Sequence, residues 1–327
     1  MIYWNPLYRV SLSDQSILFE DERGSFSLRK PSSMKTWGIF NRLEYGLPSS
    51  EIVKINHLER ALLTLLSKRK LIAEFSTTSD LFNCERNAGH YLTFDKSPIA
   101  ALERLRSATV CILGVGGIGS VVLQHLVALG VRNYVLVDGD KVEASNLNRQ
   151  LIFSPIDIGS PKVDCAKKFI LSRTPNSHVV TFSCQVNSIK DLEKLPLETS
   201  NIIVHCLDTP RGTIDDIVYS YGYLKKIAVI TAGVGVYYGH WGPLVSPEKN
   251  NLTYQDWAQQ NLTAENTSEK KTREPTRWSF GPTNTLIGAS LTLEVVEWLG
   301  GRRNINSLNT RLVQRFSDNQ IIAYKAT

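Results

Sequence analysis

The sequence has 327 residues, 42% of them hydrophobic and 21% charged, with a net charge of +6, which is enough chain for two domains, one with a sizeable core. The basic residues are dispersed rather than gathered in one run, which suits an anionic ligand such as a nucleotide and argues against a nucleic-acid surface. No apolar run reaches the roughly 18 residues of a membrane span, and five cysteines without a CxxC pair argue against a disulfide framework or a zinc site and point to a reducing cytoplasm.

Residues 1–76 read as a small module. Short strands at 16–20 and 25–28 flank the turn Asp21-Glu22-Arg23-Gly24, a charged, glycine-ended hairpin connection. Three helical segments follow. The first covers 34–43, the second opens at Ser49-Ser50-Glu51, and the third begins at Asn56 with Leu58, Leu62, Leu63, Leu65 and Leu66 close to helical spacing. A hairpin with three helices has the outline of a winged helix.

Residues 77–107 are a linker rich in Ser, Thr, Asn and Gly, ending in the helix 99–105. From 108 to 327 buried strands alternate with helices. Strands are expected at 109–113, 133–137, 178–184, 201–206 and 227–231, and helices at 119–129, 160–172 and 213–225. Such alternation predicts an α/β domain with a Rossmann-like, doubly wound, mostly parallel sheet. The polar stretch 247–278 is long enough to be a lid or binding loop. A largely apolar helix at 282–299 stops at Gly300-Gly301, and a strand at 312–316 is placed to pair with 321–324.

The strand Val110-Cys111-Ile112-Leu113 runs into Gly114-Val115-Gly116-Gly117-Ile118-Gly119 and then a helix. Glycines Gly114, Gly116, Gly117 and Gly119 permit a tight turn and close approach of a phosphate, and the helix N-terminus supplies N–H groups and partial positive charge. Asp138 ends the next strand, 19 residues after Gly119, where a carboxylate accepts ribose hydroxyls. To this point the pattern fits a dehydrogenase as well as an ATP enzyme. The segment Asp138-Gly139-Asp140-Lys141-Val142-Glu143-Ala144-Ser145-Asn146-Leu147-Asn148-Arg149-Gln150, followed by Lys162, separates them. A nicotinamide site does not need Arg149 and Lys162, whereas a triphosphate under attack at its α-phosphorus does. Asp208, beyond the strand 201–206, can hold Mg²⁺ through oxygen ligation or cap the next helix. Asp140 either touches the nucleotide or only shapes its loop. His125 and His205 are expected to pack inside, as are His240 and Trp241, though the last two also suit a pocket wall.

In this order and spacing the motifs resemble the E1-like (ThiF/MoeB-type) adenylating family, over about residues 87–299. The resemblance implies ATP and Mg²⁺ as cofactors and a homodimer. It gives Asp138 the ribose, Asn146, Arg149, Gln150 and Lys162 the phosphates, and Asp208 the metal. A partner-subunit arginine often reaches the site in this family, and Arg86 is the nearest counterpart, in an incomplete RxxR pattern (Arg86-Asn87-Ala88-Gly89). Two features depart from the family: there is no CxxC pair for zinc, and no Cys between 244 and 280 to form a thioester.

The N-terminal outline resembles the precursor-peptide recognition element of enzymes that modify ribosomally made peptides, which bind a leader peptide as an added strand. Together the two parts are similar to microcin C-type and pantocin A-type maturation enzymes. The expected function is ATP-dependent activation of a carboxylate on a precursor peptide, by adenylation or phosphorylation, leading to cyclisation or dehydration. The alternatives are an E1-like activator of a ubiquitin-like or sulfur-carrier protein, and a non-catalytic scaffold presenting a peptide or DNA.

Overall fold

The computed structural model describes residues 1–13, 16–22, 24–29, 37–74, 87–95, 98–248, 252–261, 278–302 and 304–326. The chain divides into two compact units, Met1–Ala101 and Leu102–Thr327.

In the first unit β1 (Ile2–Trp4) pairs antiparallel with β5 (Ile72–Glu74). A separate antiparallel sheet takes β2 (Arg9–Leu12), β3 (Ser16–Asp21) and β4 (Gly24–Arg29) in that order. The expected hairpin is β3–β4. Its third strand, β2, and the β1–β5 pair were not legible, because strands of three or four residues carry too short an alternation to read. Strand β3 buries Ile17 and Phe19, every second residue, as period-two geometry requires.

The helices are α1 (Trp37–Tyr45), a 3₁₀ turn at Ser49–Lys54 and α2 (His57–Lys68). Helix α2 starts where Asn56 predicts. The Asn56 side chain accepts from Glu59 N–H at 2.9 Å, and the Glu59 carboxylate accepts from Asn56 N–H at 3.1 Å. Such a capping box is worth about 1 kcal/mol. Of the leucines on this helix, Leu63 and Leu66 are buried with Phe19, Ile39, Phe40, Leu43 and Leu47, whereas Leu58 and Leu65 are exposed. The short α3 (Ala88–Tyr91) and α4 (Pro98–Ser107) complete this part of the chain.

The second unit is built on one eight-stranded sheet in the order β13-β12-β11-β10-β9-β6-β7-β8. Its strands are β6 (Thr109–Leu113), β7 (Asn133–Val137), β8 (His178–Phe182), β9 (Ile202–His205), β10 (Ala228–Val234), β11 (Tyr238–Val245), β12 (Thr310–Arg315) and β13 (Ile321–Lys325). Pairing is parallel from β10 through β9, β6 and β7 to β8, and antiparallel from β10 to β13. The fold is therefore a mostly parallel, Rossmann-like α/β sheet. Its helices are α5 (Gly117–Ala128), α6 (Lys162–Arg173), α7 (Ile189–Glu193), α8 (Ile214–Lys225), α9 (Tyr254–Asn261) and α10 (Gly281–Gly300). No described helix is long and apolar enough to cross a membrane.

Beside the short helix α7, two elements of this unit differ from expectation. Strand β11 carries Gly239, Gly242 and Pro243, residues that weaken a strand pattern. Helix α9 lies inside the polar stretch 247–278. It is anchored by Tyr254 and Trp257, both buried, which share one face three residues apart.

The chain runs β6, β7, β8 to one side and then returns to place β9 on the other flank of β6. This reversal leaves a crevice at the carboxyl ends of β6 and β9, where open α/β sheets bind ligands.

Candidate nucleotide site

The glycine loop occupies that crevice. Gly114 has φ +89°, a left-handed conformation, and a Cβ there would meet Cys206 O at 2.8 Å and Leu207 N at 3.1 Å. The loop and the chain leaving β9 therefore touch backbone to backbone, which only glycine permits. A Cβ on Gly119 would run into Gly114 O, and one on Gly117 into Asn284 Oδ1. Helix α5 is thus packed as closely as possible on its own loop and on the start of α10. Gly116 is different. Its φ is −84° and its nearest neighbour is the Gln150 amide nitrogen at 3.9 Å, so space is open above it.

Asp138 is buried at the end of β7. One carboxylate oxygen accepts from Val115 N–H at 2.6 Å and the other from Asp140 N–H at 2.8 Å. The residue expected to hold ribose thus also ties the glycine loop to the polar segment, with a lone pair left on each oxygen. Burial pushes its carboxyl pKa up, opposed by the Lys162 charge and the two backbone donors.

Lys162 opens α6 with a buried side chain, and its ammonium pairs with Asp140 at 2.9 Å. Asp140 also accepts from the Gln185 amide at 3.2 Å. Asn146 is buried and accepts from Glu143 N–H at 3.1 Å, closing a 3₁₀ turn. Arg149 donates to Ser145 O at 2.8 Å and Asn148 Oδ1 at 2.9 Å, and its Cδ lies 3.5 Å from where a Gly117 Cβ would stand. Gln150 is buried beneath Gly116 with its amide oxygen lacking any hydrogen-bond partner among the described residues. A buried, unsatisfied acceptor of this kind calls for a donor from outside the protein.

Asp208 is exposed on the loop after β9 and bonds to no described residue. Helix α8 begins at Ile214 behind Thr213, so Asp208 is not its cap. No group of three or more metal-ligating side chains occurs among the described residues. Arg86 lies outside the described residues.

Sequence reasoning missed Asn284, Gln185 and a polar network behind β9. His205, fully buried, lies 3.1 Å from Asp215, which also accepts from the Tyr254 hydroxyl at 3.0 Å and faces Arg311 at 3.6 Å. Arg311 donates to Gly242 O at 3.1 Å and sits 4.5 Å over the Trp257 ring. His205 was expected to be buried, but its main partner is a carboxylate ten residues on, on a different element, a contact that sequence spacing does not encode.

The arrangement can hold an anion with one half-buried and one buried cation, Arg149 and Lys162, flanking the amino end of a helix. A family model described as "ThiF family" matches residues 89–324. The sulfur carrier protein adenylyltransferase of Thermus thermophilus is 41% identical over 93 residues, 28% of this chain and 34% of that protein. The adenylyltransferase and sulfurtransferase UBA4 of Saccharomyces cerevisiae is 31% identical over 140 residues, 42% of this chain and 30% of its own length. The match thus spans about a third of the length of these curated relatives. Among solved structures, E. coli MccB with ATP superposes with a TM-score of 0.73 at 22% identity, covering 99% of this chain and 96% of that one. PaaA superposes with a TM-score of 0.74 at 24% identity, covering 97% and 98%. At these identities the likeness is one of fold.

Proposed function

Because this chain belongs to the ThiF family, we propose that it binds ATP on the loop 114–119 and activates a carboxylate of a ribosomally made precursor peptide. The observation that carries this reading is the buried Lys162 ammonium, whose one direct ion pair among the described residues is with the exposed Asp140 carboxylate, beside a helix amino end with open space over Gly116. A polyphosphate is the ligand that such a cation and such a helix end fit.

In this reading the peptide carboxylate attacks the α-phosphorus. A carboxyl O–P bond forms, the bond to the β-phosphate oxygen breaks, and pyrophosphate leaves. Arg149 and Lys162 neutralise the charge that grows on the phosphates, and the N–H groups at the start of α5 add to it. Asp138 and Gln150 serve the ribose and phosphate edge. Asp208 fits a site in which Mg²⁺ takes one protein carboxylate, phosphate oxygens and water, where the ion would supply charge neutralisation. An internal nucleophile of the peptide then displaces AMP, giving cyclisation or net loss of water, as in pantocin A-type chemistry.

The first unit suits the peptide. Strand β4 is an edge that pairs with no described strand on its outer side, and it exposes Ser25, Phe26 and Ser27. A groove of about 330 Å³ runs along α2, lined by Ile2, Ile52, Arg60, Leu63, Lys68 and Ile72. A free strand edge takes an extended peptide and an apolar groove takes an amphipathic one. Leu151, Ile156 and Ile158, all exposed just after the site segment, would be covered in a homodimer.

The names of the curated relatives favour a second reading, an activator of a sulfur-carrier protein. That chemistry generally uses an enzyme thiol. The sequence has no Cys between 244 and 280, and burial pushes the Cys206 thiol up to about 12. Incubation with ATP, Mg²⁺ and a candidate precursor peptide tests the proposal. Loss of water from the peptide with AMP release supports it. Pyrophosphate exchange driven only by a Gly-Gly-ended carrier protein selects the second reading instead.

A further inference from the structure

The network behind β9 is an unusual place to bury charge. His205 is fully buried and Arg311 nearly so, and the partly exposed Asp215 lies between them. The surrounding elements contribute Tyr254 from α9 and Arg311 from β12, and His240 of β11 is near enough to favour the ionised Asp215. Burying such groups is expensive, and well-packed apolar residues often serve stability as well or better. What the network does is best seen at His205, where the chain leaves β9 and packs against the glycine loop.

Asp215 is an acceptor, so His205 carries its ring proton on Nε2, at 3.1 Å from the carboxylate. That leaves Nδ1 as an acceptor. Nδ1 faces the N–H of Leu207 at 3.4 Å, a long bond and the one that this N–H makes among the described residues. On one side Cys206 N–H is held by Leu113 O at 2.7 Å. On another, His205 O accepts from the Thr231 hydroxyl at 3.0 Å. The peptide joining Cys206 to Leu207 is the backbone that fills the space of the missing Gly114 side chain, and Asp208 follows directly.

We propose that His205, oriented by Asp215, is a positioning residue of the nucleotide site. Its Nδ1 sets the plane of the peptide between Cys206 and Leu207, and thereby both the first turn of the phosphate loop and the direction from which Asp208 approaches. The inference rests on the reading above that a nucleoside triphosphate occupies the loop.

Two substitutions separate the ring nitrogens. Asparagine places its amide oxygen near Nδ1, and glutamine places its amide nitrogen near Nε2. In His205→Gln the dissociation constant for ATP–Mg²⁺, measured by calorimetry on the full chain, rises about tenfold. In His205→Asn it stays within about threefold of the parent, because the acceptor for Leu207 is restored. A merely structural role predicts the reverse or no split, since Asn leaves the larger cavity. Normal binding by His205→Gln, or equal weakening in both variants, overturns the proposal.

A second measurement needs no variant. The ¹⁵N spectrum of His205 in the wild type is expected to show a protonated Nε2 and a bare Nδ1, and a protonated Nδ1 overturns the assignment because it cannot accept from Leu207. Failure of the wild type itself to bind ATP removes the nucleotide reading and this inference with it. Normal binding by His205→Gln beside a binding wild type removes only the role of His205.

Discussion

The Lys162 ammonium lies 2.9 Å from the Asp140 carboxylate, with side-chain exposures of 7% for the lysine and 59% for the aspartate. The cation is held inside while its counter-ion stands in water. In the nucleotide reading Asp140 stands in for phosphate until ATP arrives. Asp140→Asn then leaves a nearly buried charge with a weaker partner and lowers stability by about 1–2 kcal/mol, the exposed carboxylate having been screened. Saturating ATP restores the missing charge, so the rise in melting temperature on adding ATP should be larger in the variant than in the parent. Equal rises would show that phosphate does not reach Lys162.

Two glycines of the loop should respond differently. Gly119→Ala drives a methyl group into the backbone oxygen of Gly114, which cannot move aside, and is expected to destabilise the fold by about 2–4 kcal/mol. Gly116→Ala has an ordinary φ and no close neighbour, so its stability should stay within about 0.5 kcal/mol of the parent. Yet it puts a methyl group where a phosphate approaches. Chemical denaturation and ATP titration of both variants check this: Gly116→Ala should fold normally and bind ATP poorly.

Asp215 makes stability depend on acid. Burial opposes ionisation of its carboxyl, but the hydrogen bond from His205 and the Arg311 guanidinium win and hold its pKa well below the usual carboxylate range. A depressed folded-state value gives stability that is fully present above the unfolded pKa, about 3.9, and is lost as pH falls through the folded value. The urea midpoint of the wild type should therefore exceed that of Asp215→Asn at neutral pH, with the gap closing below about pH 4. A gap that is constant with pH would contradict the ion-pair account.

If no enzyme thiol takes part, Cys206→Ala should retain turnover within about threefold, because its desolvated thiol, pushed up to about 12, supplies no thiolate at neutral pH. Loss of turnover with the fold intact, measured by product mass and thermal melting, would favour the thioester route of the second reading.

The sheet was readable from sequence because its parallel strands are short runs of buried aliphatics, such as Ile202 to Val204, set between helices. The loop and its polar segment were readable because their residues are close in sequence. Asn284 and Gln185 were not. Asn284 donates to Phe280 O at 2.7 Å and looks like any residue in a helix's first turn until α10 is packed beside Gly117. The network of Asp215, Tyr254 and Arg311 joins α8, α9 and β12, and only tertiary folding brings those three together. Strand β11 was hidden by its glycines and proline, and α9 by the polar residues around Tyr254 and Trp257.

Calorimetric titration of ATP with Mg²⁺ into the wild type and Arg149→Ala tests the central claim most directly. The account predicts saturable binding to the wild type at one ATP per chain, at least about tenfold weaker binding to a folded Arg149→Ala, and no binding of a nicotinamide dinucleotide to either. An absence of ATP binding by the wild type, or tight binding of the nicotinamide dinucleotide in its place, would contradict it.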